Sequence, residues 1–212
     1  MSRVCIVCDG EFPSGEYPLY LLESADRVVC CDGALEKILQ WGRREPDAVV
    51  GDMDTLPEDL CRKYSHIIYK VDEQDYNDLV KAMRFVLATW PDTLQIDILG
   101  ASGMREDHTI GNYGLLMDFP RILPLGDISV EMVSDYGTAF CVTDSCELHL
   151  GEGRRISLFS ADNSLSLHSE GLEWPTDGVV FDAWWKATLN RTSAPVIKLS
   201  FSHPSRLLVI ID

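Results

Sequence analysis

Positive charge is scarce in this chain. Its 212 residues carry 18 Lys and Arg against 34 Asp and Glu, a formal charge of −16. A duplex nucleic-acid binder must neutralise phosphates with a basic surface, so no nucleic-acid partner is expected. The same deficit argues against docking on an anionic membrane. Long apolar runs are missing as well: none approaches the ~18 residues of a membrane helix. The first apolar stretch, Val4 to Cys8, stops at Asp9 and is too short for the core of an export signal. A cytoplasmic location is therefore expected. Cysteine is odd in number, seven residues scattered along the chain, which argues against a disulfide framework.

Two cysteine groups look like motifs. Cys5 and Cys8 form a C-x-x-C, and Cys30 and Cys31 are adjacent. Both groups lie in β-branched runs that read as strands. Side chains alternate along a strand, so Cys5 and Cys8 point to opposite faces and cannot share a metal. They read as small buried hydrophobes.

What is present is an ordinary folded composition, 46% hydrophobic and 25% charged, which excludes whole-chain disorder. The first half alternates strand and helix signals. Strands are expected at Val4–Val7, Arg27–Cys31, Ala48–Val50, Ile67–Val71 and Leu94–Leu99. Helices are expected at Leu19–Ser24, Ala34–Trp41, Pro57–Tyr64, Asn77–Ala88 and His108–Met117. This alternation predicts an α/β domain with a mostly parallel sheet. From about Ile128 the helical signals stop. Short β-type runs follow at Ser129–Val133, Ala139–Val142, Glu147–Leu150, Arg155–Phe159, Leu165–His168, Val179–Phe181, Val196–Phe201 and Leu207–Ile211, predicting an all-β sandwich or barrel. Prolines and a glycine cluster at Pro120–Gly126, which places the boundary between residues 1–124 and 125–212.

The informative pattern is the position of the acids. Asp32 follows one predicted strand, Asp52 and Asp54 a second, Asp72, Asp75 and Asp78 a third, and Asp107 a fourth. In an open α/β sheet the carboxyl ends of the strands share one edge, where ligands bind. The acids should therefore converge. Two carboxylates ~5 Å apart repel by about 3 kcal/mol at an effective dielectric of about 20, so convergence needs a cation. Oxygen donors with little His or Cys select Mg²⁺ or Mn²⁺. Mg²⁺ completes its shell with phosphate oxygens, so a nucleotide is the expected partner. Each acid also has a plainer role open to it. Asp32 could serve a turn, and Asp54, Asp75 and Asp107 could cap the helices that follow them. Capping does not account for both acids of Gly51-Asp52-Met53-Asp54, nor for Lys81 three residues beyond Asp78. The loop Gly100-Ala101-Ser102-Gly103 could cradle phosphate, although it is neither a Walker A nor a GxGxxG pattern. Lys81 and Arg105 are the cations nearest the acids in sequence.

These segments resemble the thiamine pyrophosphokinase family. The resemblance is carried by Asp32-Gly33-Ala34, by Gly51-Asp52-Met53-Asp54-Thr55, by Gln74-Asp75-Tyr76-Asn77-Asp78-Leu79-Val80-Lys81, by Gly103-Met104-Arg105-Glu106-Asp107-His108-Thr109-Ile110-Gly111-Asn112, and by Gly171-Leu172-Glu173-Trp174-Pro175. It implies an α/β nucleotide domain, a β-sandwich that binds thiamine, and a homodimer with thiamine between subunits. It implies a Mg²⁺-dependent transfer of diphosphate from ATP to the thiamine hydroxyl, with AMP released. Asp52, Asp54, Asp75 and Asp78 are then expected to hold the metal. Lys81, Arg105 and Asp107 would assist catalysis, and an Asp could also accept the hydroxyl proton. Asp32, Gly33, Gly51, Gly100, Ser102, Gly103, Arg105, Asp107 and His108 would meet the nucleotide. Trp174 and Asn190 would meet thiamine. The chain departs from the family pattern at Ala101, Ser102 and Met104, which replace glycines. It departs again at Lys186-Ala187-Thr188-Leu189-Asn190, which keeps only the Asn of Ser-x-Ser-Asn. The rival readings are another Mg²⁺-dependent nucleotide hydrolase and a non-catalytic thiamine or nucleotide sensor.

Overall fold

The computed structural model describes residues 2–212. Apolar, β-branched runs form the central strands of the first half. β1 (Ser2–Val7), β2 (Arg27–Cys31), β3 (Ala48–Gly51), β4 (Ile68–Lys70), β5 (Thr93–Leu99) and β6 (Ser129–Ser134) make a parallel sheet in the order β6-β5-β1-β2-β3-β4. Val4, Cys5, Ile6 and Val7 are all fully buried, as a strand covered on both faces requires. Truncating Ile6 to Ala would cost about 2–5 kcal/mol.

The crossovers are α1 (Glu16–Ser24), α2 (Ala34–Trp41), α3 (Glu58–Lys63) and α4 (Asp78–Thr89); α5 (Glu106–Ile122) follows β5. In α2, Leu35 and Ile38 are fully buried, and Gly42 ends the helix in the left-handed conformation, its N–H bonded to Ile38 O. α4 starts at Asn77, whose side chain accepts from Val80 N, and it buries Leu79, Val80, Ala82, Met83 and Val86. The α4 cap is therefore Asn77 and not Asp75. α5 runs past the expected end at Met117 and contains Pro120. Burial of Leu116, Met117 and Phe119 holds the helix through a residue that cannot donate to it.

In the second half, β9 (Arg155–Ser160), β11 (Asn190–Arg191), β13 (Leu207–Ile211) and β7 (Gly137–Val142) pair antiparallel in the order β11-β9-β13-β7. A second antiparallel sheet joins β8 (Cys146–His149), β10 (Leu167–Glu170) and β12 (Val196–Phe201) in the order β10-β12-β8. Side chains of both sheets, Ile156, Leu158, Leu167, Ile197, Leu199, Leu207 and Val209 among them, share one core. This is the sandwich alternative of the two that the sequence left open.

The chain forms two compact units, residues 1–115 with 121–135, and residues 116–120 with 136–212. The division thus falls after Asp135 and not at 124/125. The reason is β6, which pairs parallel with β5 and so belongs to the first sheet. The run Val179–Phe181 forms no strand, although Phe181 is buried in the second core. Trp184 and Trp185 likewise lie in a turn, both exposed. All seven cysteines are free, and Cys8 Sγ lies 3.9 Å from Cys31 Sγ on the neighbouring strand. Among the described residues no helix is long and apolar enough to cross a membrane.

Candidate active site

The site begins where β2 and β3 end. Asp32 follows β2, and Asp52 and Asp54 follow β3. Carboxylate oxygens of these three all lie within 4.8 Å of one another, the one such group of three among the described residues. The backbone is bent to achieve this. Asp32 has φ 36 and Met53 has φ 66, both in the left-handed region that side chains disfavour. The turn at Met53 lets Asp54 N donate to Asp52 Oδ1 at 3.3 Å. Gly51 keeps the approach open, since a methyl there would lie 3.0 Å from Asp32 Cβ.

The electrostatics of the three acids differ. Burial pushes the Asp32 carboxyl up, with Asp78 and Asp54 adding to the rise and Thr55 opposing it. Asp32 Oδ1 is buried with no hydrogen-bond partner, while Oδ2 accepts from Thr55 N at 3.4 Å. Asp52 is held below the ordinary carboxylate value by Gln74, whose Nε2 donates to Oδ2 at 3.0 Å, with help from the Asp54 N–H and Lys81. An orphaned buried oxygen among crowded, oxygen-only donors is the environment that a hard divalent cation satisfies.

Asp78, the first residue of α4, stands beside the group. Its Oδ1 accepts from Lys81 Nζ at 3.0 Å, and the same ammonium is 3.8 Å from Asp52 Oδ2. Lys81 is only 5% exposed. Burial works against its charge, but the Asp78 hydrogen bond and the Asp78, Asp52 and Glu73 charges outweigh it and raise its pKa. Lys81 is thus a buried cation at the edge of the acid group. Asp75 is exposed and stands outside the group. Asp32, expected at the nucleotide, thus shares the group with Asp52 and Asp54, while Asp75, expected at the metal, is not part of that group of three.

The Gly100 loop is laced to the β1–α1 loop. Gly10 N donates to Gly100 O at 2.8 Å and Glu11 N to Ser102 O at 2.9 Å. Gly100 has φ 63, and a methyl there would lie 2.5 Å from Cys8 O, so only glycine fits. Met104 holds the left-handed position before Arg105, φ 63, without being glycine. Arg105 and Asp107 are both exposed and paired at 2.6 Å, each stabilising the charged form of the other. His108 is exposed in the first turn of α5, beside Asp107.

Two residues at this edge escaped the sequence reading. Asp9 lies two residues past the end of β1, at the same sheet edge as the other acids, and that position was the available signal. Its Oδ2 would lie 2.9 Å from a methyl at Gly33, the N-cap of α2. Lys37 Nζ pairs with Asp9 Oδ1 at 2.8 Å and donates to Asp9 O at 2.6 Å and Gly10 O at 2.7 Å. Lys37 sits on a helix face with no motif around it, so nothing local marked it.

In the second unit, Trp174 is 57% exposed. It lines a cavity of about 230 Å³ with Pro175, Thr176, Val179, Lys186 and Leu189. Asn190 is buried, and its amide is engaged with the Trp174 backbone. Exposed apolar side chains concentrate in this stretch: Trp174, Val180, Trp184, Trp185 and Leu189.

Comparison with known proteins follows the same division. Residues 19–122 match a family model described as the thiamin pyrophosphokinase catalytic domain. Residues 137–205 match one described as the thiamin pyrophosphokinase substrate-binding domain. The chain is 32% identical over 185 residues to Thiamine pyrophosphokinase 1 of Oryza sativa subsp. japonica, spanning 74% of this chain and 68% of the relative. It is 31% identical over 131 residues to Thiamine pyrophosphokinase 1 of Arabidopsis thaliana, where it spans 49% of the relative's length. The fold is similar to that of thiamine pyrophosphokinase from Bacillus subtilis, with TM-score 0.76, 20% identity, and coverage of 100% of this chain and 99% of that one. It is also similar to the yeast thiamin pyrophosphokinase structure, with TM-score 0.75, 15% identity, and coverage of 100% and 86%.

Proposed function

Because the chain belongs to the thiamin pyrophosphokinase family, we propose that it transfers a diphosphate group from ATP to the hydroxyl of thiamine, with Mg²⁺, giving thiamine diphosphate and AMP. The observation that carries this reading is the convergence of Asp32, Asp52 and Asp54 within 4.8 Å at the ends of β2 and β3. The orphaned Oδ1 of Asp32 fits a bound cation, since three carboxylates in that space repel unless one is present. These three residues would hold Mg²⁺, with Asp78 beside them. When bound, the ion supplies positive charge against the phosphate oxygens.

The chain's own residues account for the rest. In the transfer, the thiamine hydroxyl gives its proton to an Asp carboxylate of the site as its oxygen forms a bond to the β-phosphorus, the bond from that phosphorus to the α,β-bridging oxygen breaks, and AMP departs. Reactions of this kind need positioning and charge neutralisation more than covalent help. Lys81, fixed between Asp78 and Asp52, offers a charge that cannot swing away. Arg105 presents a planar fork suited to phosphate oxygens, and Asp107 keeps it oriented until substrate competes for it. Gly33 and Gly51 keep the strand ends clear for the nucleotide, and the Gly100–Gly103 loop, with His108 on α5, borders the same edge. We assign thiamine to the second unit, where Trp174 would face the cationic thiazolium or the pyrimidine. The concentration of exposed tryptophan there supports a homodimer. The seven free cysteines fit a reducing, cytoplasmic setting.

The test is direct. Purified protein is incubated with ATP and Mg²⁺, with and without thiamine, and AMP and thiamine diphosphate are quantified. Equal amounts of both products, formed only with thiamine, are expected. Phosphate release from ATP without thiamine would identify a hydrolase. Binding of ligand with no product would identify a sensor.

A further inference from the structure

Trp174 combines an exposed side chain with a fixed backbone. Its side chain is 57% exposed, yet both of its main-chain polar groups are held by one buried side chain. Asn190 Nδ2 donates to Trp174 O at 2.6 Å, and Trp174 N donates to Asn190 Oδ1 at 3.2 Å. The same Oδ1 accepts from Arg191 N at 2.8 Å. Asn190 itself is 7% exposed.

This clamp finishes a ladder that the backbone cannot finish alone. Ser193 N donates to Gly171 O at 2.8 Å, Leu172 and Thr192 form a bridge, and Glu173 N donates to Arg191 O at 2.8 Å. At the next step the pairing stops. Pro175 has no N–H to offer. Leu189 turns away with φ 58, its N–H given to Ser157 Oγ at 3.1 Å. The Asn190 amide replaces the missing backbone partner. On the far side of Trp174, Thr176 is locked too, its N–H on Ser169 Oγ at 2.9 Å and its hydroxyl on Leu167 O at 2.7 Å. The main chain is thus fixed on both sides of a ring left open on the cavity rim. Fixing the main chain on both sides removes the backbone share of the ordering cost that ligand binding at this ring would otherwise carry.

We propose that Asn190 is a positioning residue for thiamine recognition: it acts through Trp174, setting the indole at the cavity rim, and does not itself bind thiamine. The proposal rests on reading Trp174 as a thiamine contact. It assigns the Asn that survives in Lys186-Ala187-Thr188-Leu189-Asn190 to the backbone, which explains how the neighbouring residues can vary while Asn190 holds its geometry.

The test is a double-mutant cycle on the full chain with thiamine varied at saturating ATP and Mg²⁺. N190A should raise the thiamine KM by about tenfold while kcat stays within about threefold and the ATP KM does not move. W174A should raise the thiamine KM at least as much. The double variant should be no worse than W174A, since Asn190 has nothing to position once the ring is gone. A double variant that multiplies the two effects would overturn the proposal, because Asn190 would then touch thiamine itself. An unchanged KM in N190A alongside a raised KM in W174A would also overturn it while leaving the Trp174 reading intact. An unchanged KM in W174A would remove both. Should N190A fail to fold, N190D keeps an acceptor for Trp174 N and Arg191 N but replaces the donor to Trp174 O with a charged oxygen that repels it, which opens that side of the clamp. In 5-fluorotryptophan-labelled N190D, the ¹⁹F resonance that W174F identifies should shift or broaden. A resonance identical to wild type contradicts the clamp.

Discussion

Asn77 Nδ2 donates to Asn112 Oδ1 at 3.0 Å, joining the cap of α4 to the middle of α5 across 35 residues of sequence. Each amide uses both its oxygen and its nitrogen. Asn77 Oδ1 accepts from Val80 N at 3.2 Å, and Asn112 Nδ2 donates to Ala101 O at 2.8 Å. The chain of bonds therefore runs from the helix that carries Asp78 and Lys81 to the Gly100 loop. It couples the acid group to the loop expected to meet phosphate.

Asn112→Ala should break this link at both ends. Asn112 is buried, so the loss is expected at about 1–3 kcal/mol, the cost of leaving its partners unmatched. Chemical denaturation measures that change. Turnover should fall by more than stability alone explains, because the Gly100 loop loses its anchor. A variant with wild-type stability and rate would show that the bond is incidental.

Asp54→Asn tests the crowding of the acids without any substrate. In EDTA the variant should be slightly more stable than wild type, by no more than about 1 kcal/mol, since Asp54 is exposed and its charge is screened. Addition of Mg²⁺ should stabilise wild type more than the variant. The check is thermal melting with and without the ion. If EDTA leaves the variant less stable than wild type, the carboxylates do not repel in the way described.

Asp97 makes a pH prediction. It is fully buried in β5, beside Glu131 in register on β6, with Gln95 Nε2 on its Oδ1 at 2.9 Å and Arg3 Nε 3.3 Å from Oδ2. Burial raises the Asp97 carboxyl against the pull of Gln95 and Arg3, and burial and Asp97 together raise Glu131. A carboxyl raised in the folded state keeps its proton where the unfolded chain has lost it. Stability therefore falls as pH rises from the ordinary carboxylate range through the raised value. Asp97→Asn removes that titration, so its melting temperature should exceed wild type at pH 8 and lose the advantage near pH 4. Melting curves at the two pH values decide it. The opposite order at pH 8 would mean that the Arg3 pair outweighs the burial.

The fold was legible where local rules act. Buried strands such as Arg27–Cys31 and a helix such as Ala34–Trp41 are set by apolar period and by Gly42, and both match residue for residue. What local rules do not carry is the partner of a strand. The run at Ser129–Val133 looks the same whether it pairs parallel with β5 or antiparallel in the sandwich, and its place in the first sheet moved the boundary to Asp135. The site divides in the same way. Asp52 and Asp54 were readable because Gly-Asp-x-Asp follows a strand directly. Membership of Asp32 in the group depends on the left-handed turns at Asp32 and Met53, and the capping of α4 by Asn77 instead of Asp75 depends on where the helix begins. Neither leaves a pattern in sequence. Asn190 was readable as a residue of interest, but the amide's bonds to Trp174 are a tertiary fact.

The most direct measurement is Mn²⁺ binding by electron paramagnetic resonance, in wild type and Asp54→Asn, with a non-hydrolysable ATP analogue present, read beside the rate of thiamine diphosphate formation. Wild type should hold the ion with the nucleotide, and the variant should lose about tenfold or more in ion affinity and a hundredfold in rate. Equal Mn²⁺ affinity and equal rate in the two proteins would contradict the account.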